Sequence, residues 1–529
     1  MRGLKFCRIF IVMFLFVLYL SGGEYPRLLF FCKGDTIGDM FGRRLAGVGD
    51  QNGDGYDDVM IGAGTKSAGT RRIMLYLGGD PMDTEPDYVW EGGLGVHPVD
   101  DITGDGVIDF IIEYIPGDPR EVPEIIEVYR GGYPYDDGPF LRFQWDHGDR
   151  YFSAHPVGDV DGDGYNDVVL SEYDPDEGYV AFYKGGPDMD TIPERVWVGE
   201  SETTELRYVN RCPVDLNHDG YYDLILRKGR SYMPGQPLRF VYEIYYGGET
   251  LSSVPDTVIK LGYDEYYHFL SYYDDFNGDG YPEIITCGID SMWECDGSKY
   301  IIDGQNAFDF SDVYVHIPKL WGIVSEKRVP CGDVNGDGYR DLLLGSNLSY
   351  VPFGVVRLFL GGPKMAKYAD FVWIGGFNNL PEPYIGVGQA LSWCGDVNGD
   401  GIDDIMFSAY DPNLNQRGHV YIYSGDTSWV NSSVGIEGEA EREERYSVLE
   451  IYPNPFNSRV VISYVLERAL DVRIEIYDIR GRLVDRVERR DTAGSHSITW
   501  NGEKCSSGVY FVVLRAGGRK EIKKVVLLK

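Results

Sequence analysis

Asp50, Asn52, Asp54 and Asp58 put oxygen side chains at positions 1, 3, 5 and 9 of the stretch DQNGDGYDD, and glycines stand at positions 4 and 6. Alternate side chains of a sharply curved loop point to its inside, so this spacing gathers carboxylate and amide oxygens around one point. The backbone carbonyl of Tyr56, at position 7, can join them. Hard cations such as Ca²⁺ take about six to eight oxygen ligands from such a loop. Glycine supplies the positive φ that other residues resist. A hairpin turn would need one Asn-Gly or Asp-Gly pair, with no carboxylates at positions 1 and 9. An EF-hand loop ends on Glu at its twelfth residue and lies between helices; here that place is Ile61 and the flanks alternate like strands. No loop pairs Cys or His at ligand positions, which argues against softer metals.

The same nine residues return six times. The second copy offers Asp101, Thr103, Asp105, Val107 and Asp109; the third, Asp159, Asp161, Asp163, Tyr165 and Asp167. Asp215, Asn217, Asp219, Tyr221 and Asp223 make the fourth, and Asp275, Asn277, Asp279, Tyr281 and Glu283 the fifth. The sixth has Asp333, Asn335, Asp337, Tyr339 and Asp341; the seventh, Asp396, Asn398, Asp400, Ile402 and Asp404. In every copy the position-7 residue is a candidate through its carbonyl, and up to seven Ca²⁺ ions are expected, one per loop. Glycine at position 4 gives way only to His218. Each loop carries three or four carboxylates, which repel one another unless a cation intervenes.

Something regular must hold these loops. They start 51, 58, 56, 60, 58 and 63 residues apart, a period that marks a repeat fold. An apolar run follows each loop (DVMIGA, DVVLSE, DLLLGS), then a run ending in a glycine turn (IMLYLGG, VAFYKGG, VRLFLGG), then runs such as DYVWEGG and DFVWIGG. Four short strands per period make one propeller blade. The expected fold class is therefore all-β, a seven-bladed β-propeller over 24–426 followed by a small Ig-like β-sandwich. The last period stops after GHVYIYSGD without its fourth strand, and RLLFFCKGD near the start stands where that strand belongs, so the N-terminal strand is expected to close the ring.

These units resemble FG-GAP repeats, the building blocks of the propeller of integrin α subunits and of many bacterial secreted proteins. MFGRRLAGVGDQNGDGYDDVMIGAG, from Met40, carries the Phe-Gly, the loop and the Gly-Ala in one run. The resemblance covers roughly Tyr25 to Asp426; most copies lack the Phe-Gly, and Thr103 and Glu283 depart from the loop pattern.

The ends of the chain add an address. MRGLKFCR followed by IFIVMFLFVLYL and SGG reads as a signal peptide over 1–23, its apolar run too short to span a membrane. No later segment is a transmembrane candidate. Residues 427–446 are polar and acidic and read as a flexible linker. Residues 447–529 hold 15 Lys plus Arg against 10 Asp plus Glu, whereas 24–446 hold 31 against 74. The C-terminal segment, with YPNPFN, YDIRGRLV, SGVYFVVL and a lysine-rich finish, resembles the type A sorting domain of type IX secretion (T9SS) cargo. That resemblance implies export across the outer membrane of a Gram-negative-type bacterium, to the cell surface or the medium, by engagement of the type IX machinery.

Among eight cysteines, Cys287 and Cys295 flank one short connection and are the expected disulfide pair. The acidity of the propeller excludes nucleic acid as a partner. His97 and His155 recur at one place in successive periods and read as structural, and no nucleophile elbow, zinc motif or phosphate loop is present. No catalytic residue is assigned. The function expected is a binding or adhesion module for an extracellular glycan or protein, presented by Tyr- and Arg-rich connections opposite the loops. A secreted polysaccharide lyase or hydrolase, or a structural surface component, is the alternative.

Overall fold

The computed structural model describes residues 26–431 and 450–528, apart from 36–37, 65–70, 115–123, 136–137, 146–150, 174–177, 200–203, 209–211, 231–239, 261–270, 273, 290–294, 303–312, 318–325, 347–353, 367–368, 375–385, 411–416, 453–455, 467–469, 479–481, 492–493, 503 and 517–518. The expected leader and residues 432–446 of the expected linker lie outside the described residues. Two compact units divide the chain, Met1–Gly435 and Ile436–Lys529. Among the described residues there is no helix, and none therefore long and apolar enough to cross a membrane.

In the first unit the strands Arg44–Gly49, Asp58–Ala63, Arg72–Tyr76 and Tyr88–Glu91 form one antiparallel sheet in chain order. Sheets over 93–145, 151–198, 204–260, 271–317 and 326–374 repeat that order. The seventh combines Val387–Trp393, Ile405–Ala409 and His419–Tyr423 with Leu28–Lys33, which pairs with His419–Tyr423 so that Phe30 faces Ile422 and Lys33 faces His419. The missing fourth strand of the last period is thus supplied from the N-terminus, and the seven sheets match the seven periods of the β-propeller.

The second strand of each sheet is apolar on both faces because a neighbouring sheet covers each side. Val59, Met60 and Ile61 are all 0% exposed. Val59 and Ile61 pack with Phe30, Met406, Val420 and Ile422 of the seventh sheet. Met60 packs instead with Val96, Phe110 and Ile112 of the second sheet. Similar seams join the second to the third, the third to the fourth, the fifth to the sixth and the sixth to the seventh sheet. Each side chain buried this way contributes about 1.5–3 kcal/mol.

The boundary expected at residue 427 is corrected. Trp429 lies in the core between the sixth and seventh sheets with its ring 4.5 Å from that of Phe371. The Asn431 amide donates to the carbonyls of Leu360 (2.8 Å), Gly361 (2.6 Å) and Lys364 (3.0 Å). Residues 427–431 therefore belong to the propeller.

The second unit has a three-stranded sheet (Glu450–Tyr452, Arg459–Leu466, Gly494–Asn501) and a four-stranded one (Leu483–Asp491, Leu470–Asp478, Gly508–Ala516, Arg519–Leu527). Alternate residues of both, among them Val460, Ile462, Ile474, Ile476, Trp500, Val512 and Leu514, form one core. This is the expected small sandwich.

Candidate cation-binding loops

Each loop joins the first and second strands of its sheet. In all seven, the position-1 aspartate accepts the N–H of position 6 at 2.6–2.9 Å. The position-5 aspartate accepts the N–H of position 7 at 2.9–3.1 Å. The position-9 carboxylate accepts the N–H of position 2 at 2.7–2.9 Å. The loops are thus drawn around their own acids by backbone donors.

Position 9 has a second task that sequence spacing did not reveal. Its other oxygen accepts the N–H of a glycine that follows the third strand, as in Asp58 with Gly78 (2.7 Å), Asp167 with Gly185 (2.9 Å) and Asp341 with Gly361 (2.6 Å). The glycine turn and the loop are thereby locked together at one end of the sheet. Asp58, Asp109, Asp167, Asp223, Glu283, Asp341 and Asp404 are all 0% exposed. Burial, only partly offset by these backbone bonds, pushes the Asp58 and Asp167 carboxyls up to about 7 and that of Asp404 to about 8. Asp109 and Asp223 rise to about 6 for the same reason, and Asp341 rises well above the ordinary value.

The loops also clasp one another in sequence. The position-2 carbonyl accepts from the glycine turn of the next sheet: Ile102 from Gly186 at 2.6 Å, Val160 from Gly248 at 2.8 Å, Phe276 from Gly362 at 2.8 Å. At the closing seam, Gly79 of the first sheet donates to Val397 at 2.7 Å, and the Asp57 carboxylate accepts the Asp396 N–H at 2.8 Å. Position 4 explains its own composition here. Its φ is +78° at Gly104 and +72° at Gly399, and a Cβ would run into the position-7 side chain of the next loop, Tyr165 or Tyr56. His218 holds φ of 60° and lays its ring 4.6 Å from that of Tyr281, so one imidazole replaces the glycine contact.

The donor set suits a hard divalent cation. A carboxylate has about four acceptor sites, and Asp50 uses three of them on Gly53, Asp54 and Gly55, leaving room for an ion. Asn52 turns its oxygen to the Asp54 N–H and its amide to the Asp54 carboxylate, which ties positions 3 and 5. In the third loop Asp159, Asp161 and Asp167, and in the fifth Asp275, Asp279 and Glu283, bring three carboxylate oxygens within 4.8 Å of one another. Glu283, a departure from the repeat, still reaches its cluster. In the second loop the Thr103 hydroxyl turns to Asp109 at 3.4 Å.

Other expectations fall elsewhere. His97 lies 3.7 Å from the Glu113 carboxylate, and His155, at the same place in the next sheet, bonds Ser153 at 2.7 Å. Cys287 and Cys295 occupy adjacent strands, facing Lys299 and Ile289 rather than each other; their side chains lie outside the described residues. The connections expected to carry recognition, including 115–123, 231–239, 261–270 and 347–353, also lie outside them.

Comparison with known proteins agrees with this geometry. A family described as FG-GAP-like repeat matches residues 275–344, and one described as secretion system C-terminal sorting domain matches residues 450–528. Integrin alpha-PS5 of Drosophila melanogaster is 25% identical over 261 residues, 48% of this chain and 23% of that protein. Integrin alpha-V of Gallus gallus is 28% identical over 181 residues, 32% of this chain and 16% of its own length. The chain therefore spans less than a quarter of these relatives. Latent dimeric PorU from Porphyromonas gingivalis aligns over 73% of this chain and 35% of its own, at 11% identity and a TM-score of 0.15. The chain carries FG-GAP-like repeats on an integrin-α-like β-propeller and ends in a type IX sorting domain, which directs it to the cell surface or the medium.

Proposed function

We propose that this exported chain is a calcium-stabilised propeller that binds an extracellular glycan or protein at the cell surface. The observation that carries the reading is the sevenfold repetition of one all-oxygen loop, each pre-shaped by its own backbone amides. The side chains at positions 1, 3, 5 and 9, with the carbonyl at position 7, would hold the ion. Calcium would supply the positive charge that the clustered carboxylates lack and would tie the loop's first and last residues together. The loop is already clasped to the next sheet through its position-2 carbonyl, so stiffening one loop stiffens a seam.

With most ligand positions filled by protein, the ion's role in this reading is structural rather than reactive. In this reading recognition falls to the long Tyr- and Arg-rich connections rather than to the loops. The direct test incubates the full chain, with Ca²⁺, on glycan and protein arrays and follows polysaccharide substrates for released product. Retention without product supports the binding module. Product release would replace it with a polysaccharide-degrading enzyme, and neither retention nor release would make it a structural surface component.

A further inference from the structure

The third loop is the one with a fourth carboxylate at its ligand positions: Asp161 stands at position 3, where the other six have an amide or a hydroxyl. A cation of the protein's own meets it. The Lys184 ammonium is paired with the Asp161 carboxylate, whose side chain is 7% exposed against 39% for the lysine. Lys184 immediately precedes Gly185, the glycine whose N–H holds Asp167 of the same loop at 2.9 Å. A side chain at that place can therefore reach the loop's acids, as Lys184 does, whereas Arg130 at the same place in the second sheet lies over the Phe140 ring at 4.2 Å. In the seventh sheet Ser424, which precedes Gly425, brings its hydroxyl oxygen within 3.4 Å of the Asp400 carboxylate while donating to the Gly425 carbonyl at 2.7 Å. In the first and sixth sheets the place is held by the apolar Leu77 and Leu360.

The charges balance. At the ligand positions, four carboxylates less one ammonium leave the third loop at −3, the charge that three ligand-position carboxylates give each of the other loops. We propose that Lys184 is a tethered counter-ion of the third loop, which competes with the incoming divalent cation for Asp161 and sets that loop's affinity. The cleft beside it, about 180 Å³ and lined also by Glu194 and Glu249, gives the ammonium other carboxylates to turn to when an ion enters. The residue before the turn glycine is then the place from which the third blade tunes its loop. This inference rests on the reading of the loops as divalent-cation sites.

Hydrogen exchange of the intact chain, followed against free Ca²⁺, tests both layers separately. Amides 162–165 are bonded to loop carboxylates and report ion entry in the third loop; amides 53–56 do the same in the first. Removing one positive charge about 5 Å from a divalent ion shifts its affinity on the order of tenfold in water. Lys184→Met should therefore lower the half-protection calcium concentration of the third loop about tenfold, and Asp161→Asn should raise it about tenfold. The double variant should return close to the starting value, and Lys184→Arg, which keeps the charge, should not move it. The first loop should stay unchanged throughout. A third-loop midpoint that stays put in Lys184→Met while the first loop responds to calcium overturns the counter-ion alone. Calcium independence of both loops overturns the underlying reading.

Discussion

The position-9 loop acids of the propeller and the buried acids of the C-terminal sandwich are partnered differently. In the propeller the loop carboxylates are held by neutral backbone amides, as Asp58 is by Gln51 and Gly78. In the sandwich the acids meet arginines: Glu475 bonds Arg486 at 2.8 Å and Arg515 at 3.2 Å, and Asp491 bonds Arg489 at 2.6 Å. An amide orients a carboxylate without cancelling its charge, whereas a guanidinium does both. On the proposed reading, one unit takes its cation from solution and the other carries its own. The composition of the two segments, 31 basic against 74 acidic residues and 15 against 10, is the sequence-level trace of that difference.

The largest expected effect separates the units by task. Removing residues 450–528 should abolish delivery to the surface while the remaining propeller still responds to calcium, read by cell fractionation. A truncated chain that reaches the surface would break the division. Next comes closure. Deleting Leu28–Lys33 removes the strand paired with His419–Tyr423 and the buried Phe30. Loss of that one aromatic alone is worth about 3–5 kcal/mol. Hydrogen exchange should show the first and seventh sheets opening while residues 459–527 keep their protection; equal loss in both units would contradict the account.

A pH titration in chelator-stripped buffer should then give slopes of opposite sign. Buried loop acids titrate in the folded state up to about 7 or 8, above the value of about 4 in the unfolded chain. Their protonated form favours folding, so the cation-free propeller should lose stability as pH rises from about 4 to about 8. In the sandwich burial also opposes ionisation of Asp491, but the Arg489 and Tyr464 hydrogen bonds outweigh it and hold that carboxyl below its ordinary value. Its contribution is present above about pH 4 and is lost as pH falls. Protection measured peptide by peptide at pH 5 and pH 8 checks the sign in the propeller, and at pH 5 and about pH 3 the sign in the sandwich. The smallest effect is local: Asp337→Ala in the sixth loop should cost about 1–3 kcal/mol in calcium, whereas Asp188→Ala, exposed and outside any loop, should change stability by less than about 0.5 kcal/mol.

Much of this was readable because local chemistry repeated. The loops declare themselves by spacing, and the closing strand by its absence from the last period. What sequence spacing missed were contacts between distant residues. Position-4 glycine is readable as positive φ, but its packing against Tyr165 or Tyr56 of the next loop is not. Position 9 reads as a ligand, while its bond to Gly78 or Gly185 crosses two strands. Lys184 stands far from Asp161 in the chain and only the sheet brings them together. The linker boundary was misplaced because Trp429 and Asn431 are anchors in an otherwise polar stretch, and composition averages them away.

In the proposed reading calcium completes the propeller and leaves the sandwich alone. A ligand at about a hundredfold its dissociation constant stabilises the folded state by about 2.7 kcal/mol per site. Thermal unfolding of the full chain, monitored by hydrogen exchange in EDTA and in excess Ca²⁺, measures this in both units at once. The propeller peptides should open many degrees earlier in EDTA and recover when calcium returns, with residues 459–527 unmoved. Identical unfolding of the propeller in the two buffers would contradict the claim.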